Sequence, residues 1–438
     1  MYVAVQGFKL NDFNPYIYKT TDYGKSWKRI DKGLPLNNFV RVVREDPKQK
    51  GLLYAGTEGG LFVSYNDGGT WQAMQLNLPP VPITDLTIRQ DNLVAATQGR
   101  SFWVLDDLFV VREAAGGVGK QALQIFTPDQ VAMVSNSGQA GDFESSNPDR
   151  GVPIYYFLED KQEGPFSIEI LDSTGAVVRT YSSKESDFDR CKLANKDPRR
   201  PVELKYPPGE KGLNKWTWDM HRDGVHCIEN VNVFAGFDGP VVPPGNYRAR
   251  VTVGDASQER DFSLVMDPRV SASPEEISTW ADRVTETASL LDEVLQRLTE
   301  ARKARAQIES LMADYPDDKD LQQSGAAAVA AIEAWDWQID QHLAQTYEDE
   351  DAWETMLAGQ IRYLMDVISG TGAPVTDGAM QRLTDLKAEW ATRSAELGEI
   401  NAGKIAPINT WARDKGVQHV ALPNLLGGTG SEPGSDTN

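Results

Sequence analysis

The sequence predicts a multidomain protein with partial β-propeller blades first, an immunoglobulin-like β-sandwich second and an α-helical bundle last. A polar turn that ends in Trp occurs twice in the first part of the chain. A segment of short strands separated by turn residues follows it. From Ser273 onward the apolar residues recur at helical spacing, which completes the three-part order.

The repeated turn is TTDYGKSW at 20–27 and SYNDGGTW at 64–71. In each copy a hydroxyl and an acid or amide can accept hydrogen bonds from backbone amides of the turn. The glycine permits a positive φ, and we expect the Trp ring to fold back over the hairpin. We predict a structural and not a catalytic role for the turn residues Thr20, Asp22, Gly24, Trp27, Ser64, Asn66, Gly68 and Trp71.

Longer repeats surround these turns. LLYAGTEGGLFVS (52–64) aligns with NLVAATQGRSFWV (92–104) and with the opening MYVAVQG, while FVRVVRED (39–46) and ITDLTIRQD (83–91) supply a preceding strand. A four-stranded unit of about 40 to 45 residues is typical of a propeller blade. Residues 1–111 therefore hold only a few blades, fewer than a closed propeller needs. We expect further blades upstream or in a split partner; the alternative is a small open sheet that pairs with another copy.

The next two segments differ in composition. Residues 112–150 are rich in Gly, Ala and Ser around one apolar stretch, ALQIFTPDQVAMV (122–134), and predict a linker that packs back on the propeller. Residues 151–268 contain short strands and turn signals without a helical pattern. That combination is typical of an immunoglobulin-like sandwich.

The two cysteines of the chain, Cys191 and Cys227, fall inside this sandwich. In a secreted protein we expect them to form a disulfide, with two free thiols as the alternative. The stretch DMHRDGVHC (219–227) contains histidines, acids and a cysteine, but its spacing specifies no tetrahedral ligand set. The sequence therefore predicts no metal site and no cofactor.

The segment 273–415 predicts the helical bundle. SPEE (273–276) is a capping box with Pro at the first helical position, and an apolar seam of heptad type follows it. Three more amphipathic stretches joined by short links indicate antiparallel packing. On the second of them we interpret His342 as a packed residue of the apolar face. The Gly- and Ser-rich end, 416–438, predicts a disordered tail.

Charge and composition exclude several function classes. The chain has 64 acidic and 44 basic residues and a net charge of −20, which disfavours binding to nucleic acid. No apolar run reaches the length of a membrane span. The four histidines are too scattered for a zinc-protease motif. The start, MYVAVQGF, has the pattern of a strand and not that of a signal peptide.

The repeated turn resembles the Asp-box hairpin of sialidases, xyloglucan-active glycoside hydrolases and sortilin-type propellers. NDFNPYIYKTTDYGKSW, DPKQKGLLYAGTEGGLFVS, TQGRSFWVLDDL and GLNKWTWDM look like stretches of bacterial secreted Asp-box (BNR-repeat) propeller proteins of the sortilin/glycosyl-hydrolase-like group. The resemblance implies missing blades and an export signal upstream, and a periplasmic or extracellular location. It implies no particular reaction, because activity in this group is poorly defined.

Propeller geometry predicts where a ligand would bind. The turns between the second and third strands of each blade lie around the central channel, where propellers commonly bind ligands. These turns place the loops 6–15, 57–60 and 97–101 on one face. The candidate ligand-binding residues in them are Asp12, Phe13, Glu58, Gln98 and Arg100.

Three functions are compatible with the sequence. We favour a non-catalytic recognition or scaffold role, with a glycan or a protein as the ligand. The alternative is a glycoside-hydrolase-like enzyme whose catalytic acids, Asp12 and Glu58 among the candidates, are divided between this chain and upstream blades. The third function is self-assembly of an interaction protein through an open blade edge.

Overall fold

The computed structural model describes residues 1–119, 121–134, 150–195, 204–229, 231, 233, 236–344, 349, 352–417 and 420. Residues 135–149 of the predicted linker, and residues 418–419 and 421–438 of the predicted tail, lie outside them. Two compact units are present. The first comprises Met1–Ile168, Pro207–Asp219 and Asn246–Ser263, and the second comprises Glu169–Tyr206, Met220–Gly245 and Leu264–Asn438.

Three antiparallel sheets form the N-terminal part of the first unit, and in each one the strands are ordered as they are in the chain. The first sheet contains β1 (Tyr2–Ala4), β2 (Ile17–Lys19) and β3 (Lys28–Arg29). The second contains β4 (Val40–Glu45), β5 (Leu53–Thr57), β6 (Gly60–Ser64) and β7 (Gln72–Ala73). The third contains β8 (Ile83–Arg89), β9 (Asn92–Thr97) and β10 (Phe102–Leu105).

The second sheet is the centre of this region. Every residue of β5 and β6 is buried, which is the pattern of strands covered on both faces. Because successive side chains point to opposite faces of a strand, Tyr54 packs with the third sheet while Leu53 and Ala55 pack with the first. Burial of each large apolar side chain contributes about 1.5 to 3 kcal/mol. The two apolar layers therefore hold the three sheets together.

A buried ion pair connects a helix to the second sheet. The helix α1 (Leu108–Ala114) follows β10, at the position where a fourth strand of the third sheet is expected. Its Arg112 donates from Nε to both carboxylate oxygens of Asp46, at 2.9 and 3.0 Å, and from Nη1 to Asp91 at 2.9 Å. Asp46 is buried and also accepts backbone N–H groups of the turn after β4. Within the described residues, the three sheets do not close into a propeller.

The two repeated turns have the same hydrogen bonds. In the first, Oγ1 of Thr20 accepts the N–H of Gly24 at 2.9 Å, and Oδ1 of Asp22 accepts the N–H of Ser26 at 2.9 Å. The hydroxyl of Ser26 also donates to Asp22, and these bonds lower the pKa of that carboxyl to about 2. The equivalent bonds of the second turn join Ser64 to Gly68 at 2.9 Å and Asn66 to Thr70 at 2.8 Å.

The surroundings of the two turns differ. Trp71 is buried and its Nε1 donates to the carbonyl of Ile30 at 2.6 Å, whereas Trp27 is 43% exposed. Both glycines have a positive φ, +86° at Gly24 and +79° at Gly68. A Cβ at Gly68 would lie 2.5 Å from Cδ1 of Ile30, while a Cβ at Gly24 would meet no atom closer than 3.7 Å. At Gly68, both the positive φ and the closeness of Ile30 therefore favour glycine, whereas at Gly24 only the positive φ does.

Two more sheets follow along the chain. One contains β11 (Leu123–Phe126), β13 (Val152–Leu158) and β16 (Gly212–Trp218), in that order. The other has the order β12 (Gln130–Met133), β18 (Ala256–Met266), β17 (Gly245–Val253), β14 (Phe166–Asp172) and β15 (Val177–Ser182). Trp218 is buried against the rings of Tyr247 and Phe262, with ring centroids 5.4 and 5.9 Å away. The apolar stretch of the predicted linker thus supplies two of these strands.

A helix lies in the segment where the sequence predicts strands and no helix. This helix, α2 (Asp187–Ala194), begins at Ser186, which exchanges capping-box hydrogen bonds with Asp189. The expectation of a helix-free segment is wrong because this short helix is set by its capping box and not by a repeat of apolar residues. Cys191 of α2 forms a disulfide with Cys227, and the two Cα atoms are 6.1 Å apart.

Helices form the rest of the second unit. They are α3 (Pro274–Asp314), α4 (Lys319–Ile339), α5 (Leu357–Thr371), α6 (Asp377–Ile400) and α7 (Ala406–Lys415), with a π-helical stretch, Asn401–Ile405, before the last. The predicted capping box at Ser273 is confirmed. α3 packs on α4 and α5, and α6 packs on the same two helices. The chain is therefore multidomain and mixes β-sheets with helices, as predicted, and α3 to α7 all follow the last strand, β18. No helix within the described residues is both long and apolar enough to cross a membrane.

We predict that Gly68→Ala destabilises the first unit more than Gly24→Ala does. Both substitutions place Ala in the left-handed region, at a cost of about 1 kcal/mol. Only Gly68→Ala also forces its Cβ into Ile30, which adds about 1 to 3 kcal/mol. Urea unfolding followed by tryptophan fluorescence measures both. Equal decreases in the free energy of unfolding for the two variants would contradict a steric conflict between the new Cβ at position 68 and Ile30.

We predict that Arg112→Leu lowers the free energy of unfolding of the first unit by about 3 kcal/mol, because it leaves the buried carboxylate of Asp46 without its cation. The second substitution Asp46→Asn restores part of the loss by removing the unpaired charge. Arg248→Leu, which breaks an exposed pair with Asp261, is the control and leaves the unfolding midpoint nearly unchanged. Similar decreases in the free energy of unfolding for Arg112→Leu and Arg248→Leu would show that burial does not strengthen the Arg112–Asp46 ion pair.

Candidate functional site

The candidate ligand-binding residues lie in three loops of the first unit, and an arginine connects two of them. Arg41, on β4, donates from Nε and Nη2 to Oε2 of Glu58, at 2.8 and 2.6 Å. Its Nη2 also donates to Oε1 of Gln98 at 3.3 Å. Glu58 follows β5 and Gln98 follows β9, so the packing of the second sheet on the third brings these loops together. The sequence did not predict Arg41 as a site residue because it lies within a predicted strand and not in a loop. Its charge within that strand was the one feature that could have indicated it.

Aromatic rings lie beside this ion pair. Phe39 is buried, and the rings of Phe8 and Phe13 pack on it with centroids 5.0 and 6.4 Å away. The guanidinium of Arg41 lies over the Phe39 ring, 5.2 Å from its centroid. Phe8 and Phe13 are 37% and 43% exposed. We call the six residues Phe8, Phe13, Phe39, Arg41, Glu58 and Gln98 the Phe39–Arg41 surface.

Asp12 shapes the loop that holds the two exposed rings. Its carboxylate accepts the hydroxyl of Tyr16 at 2.7 Å and both the backbone and side-chain N–H groups of Asn14 at 3.0 Å. The Tyr16 hydroxyl is the main reason that the pKa of Asp12 is lowered. Asp12 is therefore a loop-forming acceptor that stays ionised. It makes no hydrogen bond to the Phe39–Arg41 surface among the described residues.

Arg100 is exposed at the turn between β9 and β10. Its backbone N–H donates to Oγ1 of Thr97, and its carbonyl accepts Nε1 of Trp103 at 2.9 Å. In the part of the chain that the structure describes, its guanidinium has no hydrogen bond or ion pair, so it is not tied to Glu58 or Gln98. The turn is fixed while the charged end of the side chain points to solvent.

The two candidate catalytic acids, Asp12 and Glu58, are both engaged in hydrogen bonds with neighbouring side chains. Glycoside hydrolysis needs two carboxylates across the scissile bond, one of them able to donate a proton. Asp12 is held ionised by its hydrogen-bond donors, and Glu58 is paired with Arg41. What the surface offers is two exposed ring faces beside a fixed guanidinium, a carboxylate and an amide.

A second polar cluster lies in the helical part of the second unit. Arg302 donates to both oxygens of Asp336 and to Asp340, each at 2.7 Å, and Nε2 of His342 lies 2.9 Å from Asp336. Both aspartates are buried, and burial raises the pKa of Asp340. Two carboxylates and an imidazole could ligate a metal. The guanidinium of Arg302 donates to both carboxylates and compensates one of their two charges, so the contacts of the cluster are those of a buried ion network.

The position of His342 differs from the one predicted. α4 ends at Ile339, and Asp340 is its C-terminal cap. His342 therefore lies beyond the helix, exposed, with its ring stacked on Trp337 at 4.5 Å. The apolar periodicity gave no signal of this end. The interpretation of His342 as a packed residue of the apolar face is wrong.

No protein-family model matches the chain, and a search of curated proteins found no match. Among solved structures, the chain is similar to PorZ, a bacterial surface component of the type-IX secretion system of Porphyromonas gingivalis. The identity is 13% and the TM-score 0.17, over 57% of this chain and 25% of PorZ. It is also similar to an extracellular domain assigned to a one-component system of B. thetaiotaomicron. There the identity is 11% and the TM-score 0.18, over 61% of this chain and 34% of that one. The chain thus matches only a minor part of each, and scores this low do not establish a shared fold.

We predict that Tyr16→Phe raises the pKa of Asp12 toward its ordinary value, because the strongest hydrogen bond to the carboxylate is lost. With its lowered pKa, Asp12 contributes stability above the ordinary value and loses it as the pH falls through the lowered one. In Tyr16→Phe the two pKa values lie closer together, so the pH range over which this stability is lost becomes narrower. The pKa is read from the Asp12 carboxyl carbon by NMR. Tyr18→Phe on β2 is the control; an unchanged pKa in Tyr16→Phe would contradict the assignment.

Proposed function

We propose that this chain is the recognition portion of an exported Asp-box propeller protein, and that it binds glycans at the Phe39–Arg41 surface. The observation that supports this function best is the pair of half-exposed rings, Phe8 and Phe13, packed on buried Phe39. Exposed phenylalanine side chains are costly in water, so a fixed pair of them favours a binding role.

The chemistry of the surface matches a sugar. The flat face of a pyranose ring presents C–H groups that pack on aromatic rings, and its hydroxyls require donors and acceptors at the edge. Phe8 and Phe13 supply the ring faces, while Glu58 and Gln98 supply carboxylate and amide groups. Because Arg41 already fixes Glu58 and Gln98, little side-chain entropy is lost when a ligand binds.

The proposed architecture rests on the repeated turns. Their matching hydrogen bonds, and the chain-ordered antiparallel sheets around them, support the interpretation of residues 1–111 as blades of an Asp-box propeller. We further propose that residues 151–268 form an immunoglobulin-like sandwich and residues 273–415 a helical bundle. The disulfide of Cys191 and Cys227 supports a periplasmic or extracellular location, because disulfides persist in oxidising compartments.

We expect the full chain to bind glycans from an array of bacterial and plant oligosaccharides. The double variant Phe8→Ala/Phe13→Ala should lower the affinity for the most tightly bound glycan at least about tenfold, since each ring contributes about 1 kcal/mol to binding. Isothermal titration calorimetry measures the affinities, and circular dichroism checks the fold.

Tyr23→Asn is the matched control. Tyr23 is a fully exposed aromatic at the tip of the first repeated turn, between β2 and β3, where Asn tolerates the left-handed backbone. It should leave glycan binding unchanged. The proposal fails if the array shows no bound glycan, or if Phe8→Ala/Phe13→Ala binds as tightly as the unaltered chain.

A further inference from the structure

An open groove lies between α5 and α6 of the second unit. Its residues are far in sequence from those of the Phe39–Arg41 surface. Its volume is about 730 Å³, within the size range of small-molecule sites. The floor is apolar: Leu364 and Ala379 are buried, and Val367 is half-buried. Tyr363 forms one wall with 56% of its surface exposed. A groove with this lining favours an apolar ligand.

The rim of the groove holds a guanidinium without an acidic partner. Arg382, on α6, donates from Nη2 to the side-chain oxygen of Gln360, and the amide nitrogen of Gln360 donates to the carbonyl of Thr355. Gln360 is thus fixed from both sides and holds the arginine in place. In the described part of the chain, no carboxylate lies within ion-pair distance of Arg382.

This pairing contrasts with the other arginines of the same two helices. Arg362 of α5 pairs with Asp366, and Arg393 of α6 pairs with Glu396 at 2.8 Å. The chain has 64 acidic residues against 44 basic ones, so acidic partners are plentiful. An arginine positioned by a neutral amide keeps its full charge for another anion.

We propose that the groove binds an amphiphilic carboxylate, with the apolar body on the floor and the carboxylate on Arg382. The planar fork of a guanidinium matches a carboxylate, and a charge-assisted bond of this kind is stronger than a neutral one. The apolar floor requires a hydrocarbon or aromatic body and excludes a bare inorganic anion. This inference goes beyond glycan recognition and does not depend on it.

Laurate is the probe, with its methyl ester as the neutral counterpart. Binding to the full chain is measured by displacement of anilinonaphthalene sulfonate, whose fluorescence reports occupancy of an apolar site. We expect laurate to bind and the methyl ester to bind at least about tenfold more weakly, which corresponds to about 1.4 kcal/mol for the lost ionic bond. Equal affinities for the two probes would overturn the assignment of Arg382 as the anchor.

Two variants test the groove itself. Arg382→Gln removes the cation while keeping a polar side chain, and we expect about a tenfold loss of laurate affinity. Gly378 lines the groove, and a Cβ there would meet no atom within 4 Å, so Gly378→Leu fills the space without a clash. We expect it to abolish binding of laurate.

Each variant has a matched control in the helical part of the second unit. Gly398 lies on α6 outside the groove and also has free space for a Cβ, so Gly398→Leu should bind laurate normally. Arg413 of α7 is held by the hydroxyl of Thr410, so Arg413→Gln should also bind normally. Circular dichroism confirms helical content in all four variants.

The outcomes are distinct. Laurate binding that is lost in Arg382→Gln and Gly378→Leu but kept in both controls supports the proposal. No binding of laurate to the unaltered chain, or equal binding in Gly378→Leu and Gly398→Leu, overturns it. If the chain does not bind laurate but self-associates with increasing concentration, and Gly378→Leu abolishes that association, the occupant of the groove is a second copy of the chain and not a small molecule.

Discussion

The ion pair between Arg112 and Asp46 ties α1 to the end of β4, a strand that contacts strands of all three N-terminal sheets. Asp46 follows the last residue of β4 and is buried between a turn and α1. Its negative charge must remain close to Arg112, because a buried carboxylate without a cation is costly. Near the other end of the same strand, Arg41 holds Glu58 and Gln98. One strand thus connects the buried ion pair to the exposed Phe39–Arg41 surface.

Features with a local physical cause could be predicted from the sequence. The two turns depend on a hydroxyl, an acid or amide and a glycine within five residues, so their chemistry is visible in TTDYGKSW and SYNDGGTW. The start of α3 is equally local, since Ser273 and Glu276 cap each other. The change of apolar period near Ser273 likewise marks the point after which the described elements are helices.

Features set by contacts distant in sequence could not be predicted. Arg41 meets Gln98 only because β4 and β9 lie in sheets that pack together, and no spacing in the sequence records that pairing. The same holds for Arg302, whose partner Asp336 lies on the next helix. Loop positions of Glu58 and Gln98 were predictable from the repeat, whereas the arginine that joins them was not.

The second turn is built partly from the first repeat. The backbone N–H of Trp71 donates to the carbonyl of Lys32 at 2.9 Å, and its indole donates to Ile30. Gly33 approaches so closely that a Cβ would lie 2.6 Å from the carbonyl oxygen of Trp71. Neighbouring repeats therefore cannot diverge independently, and positions after one turn must covary with the Trp and Gly of the next. Recombination that exchanges the two neighbouring repeats together preserves this junction, whereas a crossover between Ile30 and Trp71, the boundary of the repeats included, separates its two halves.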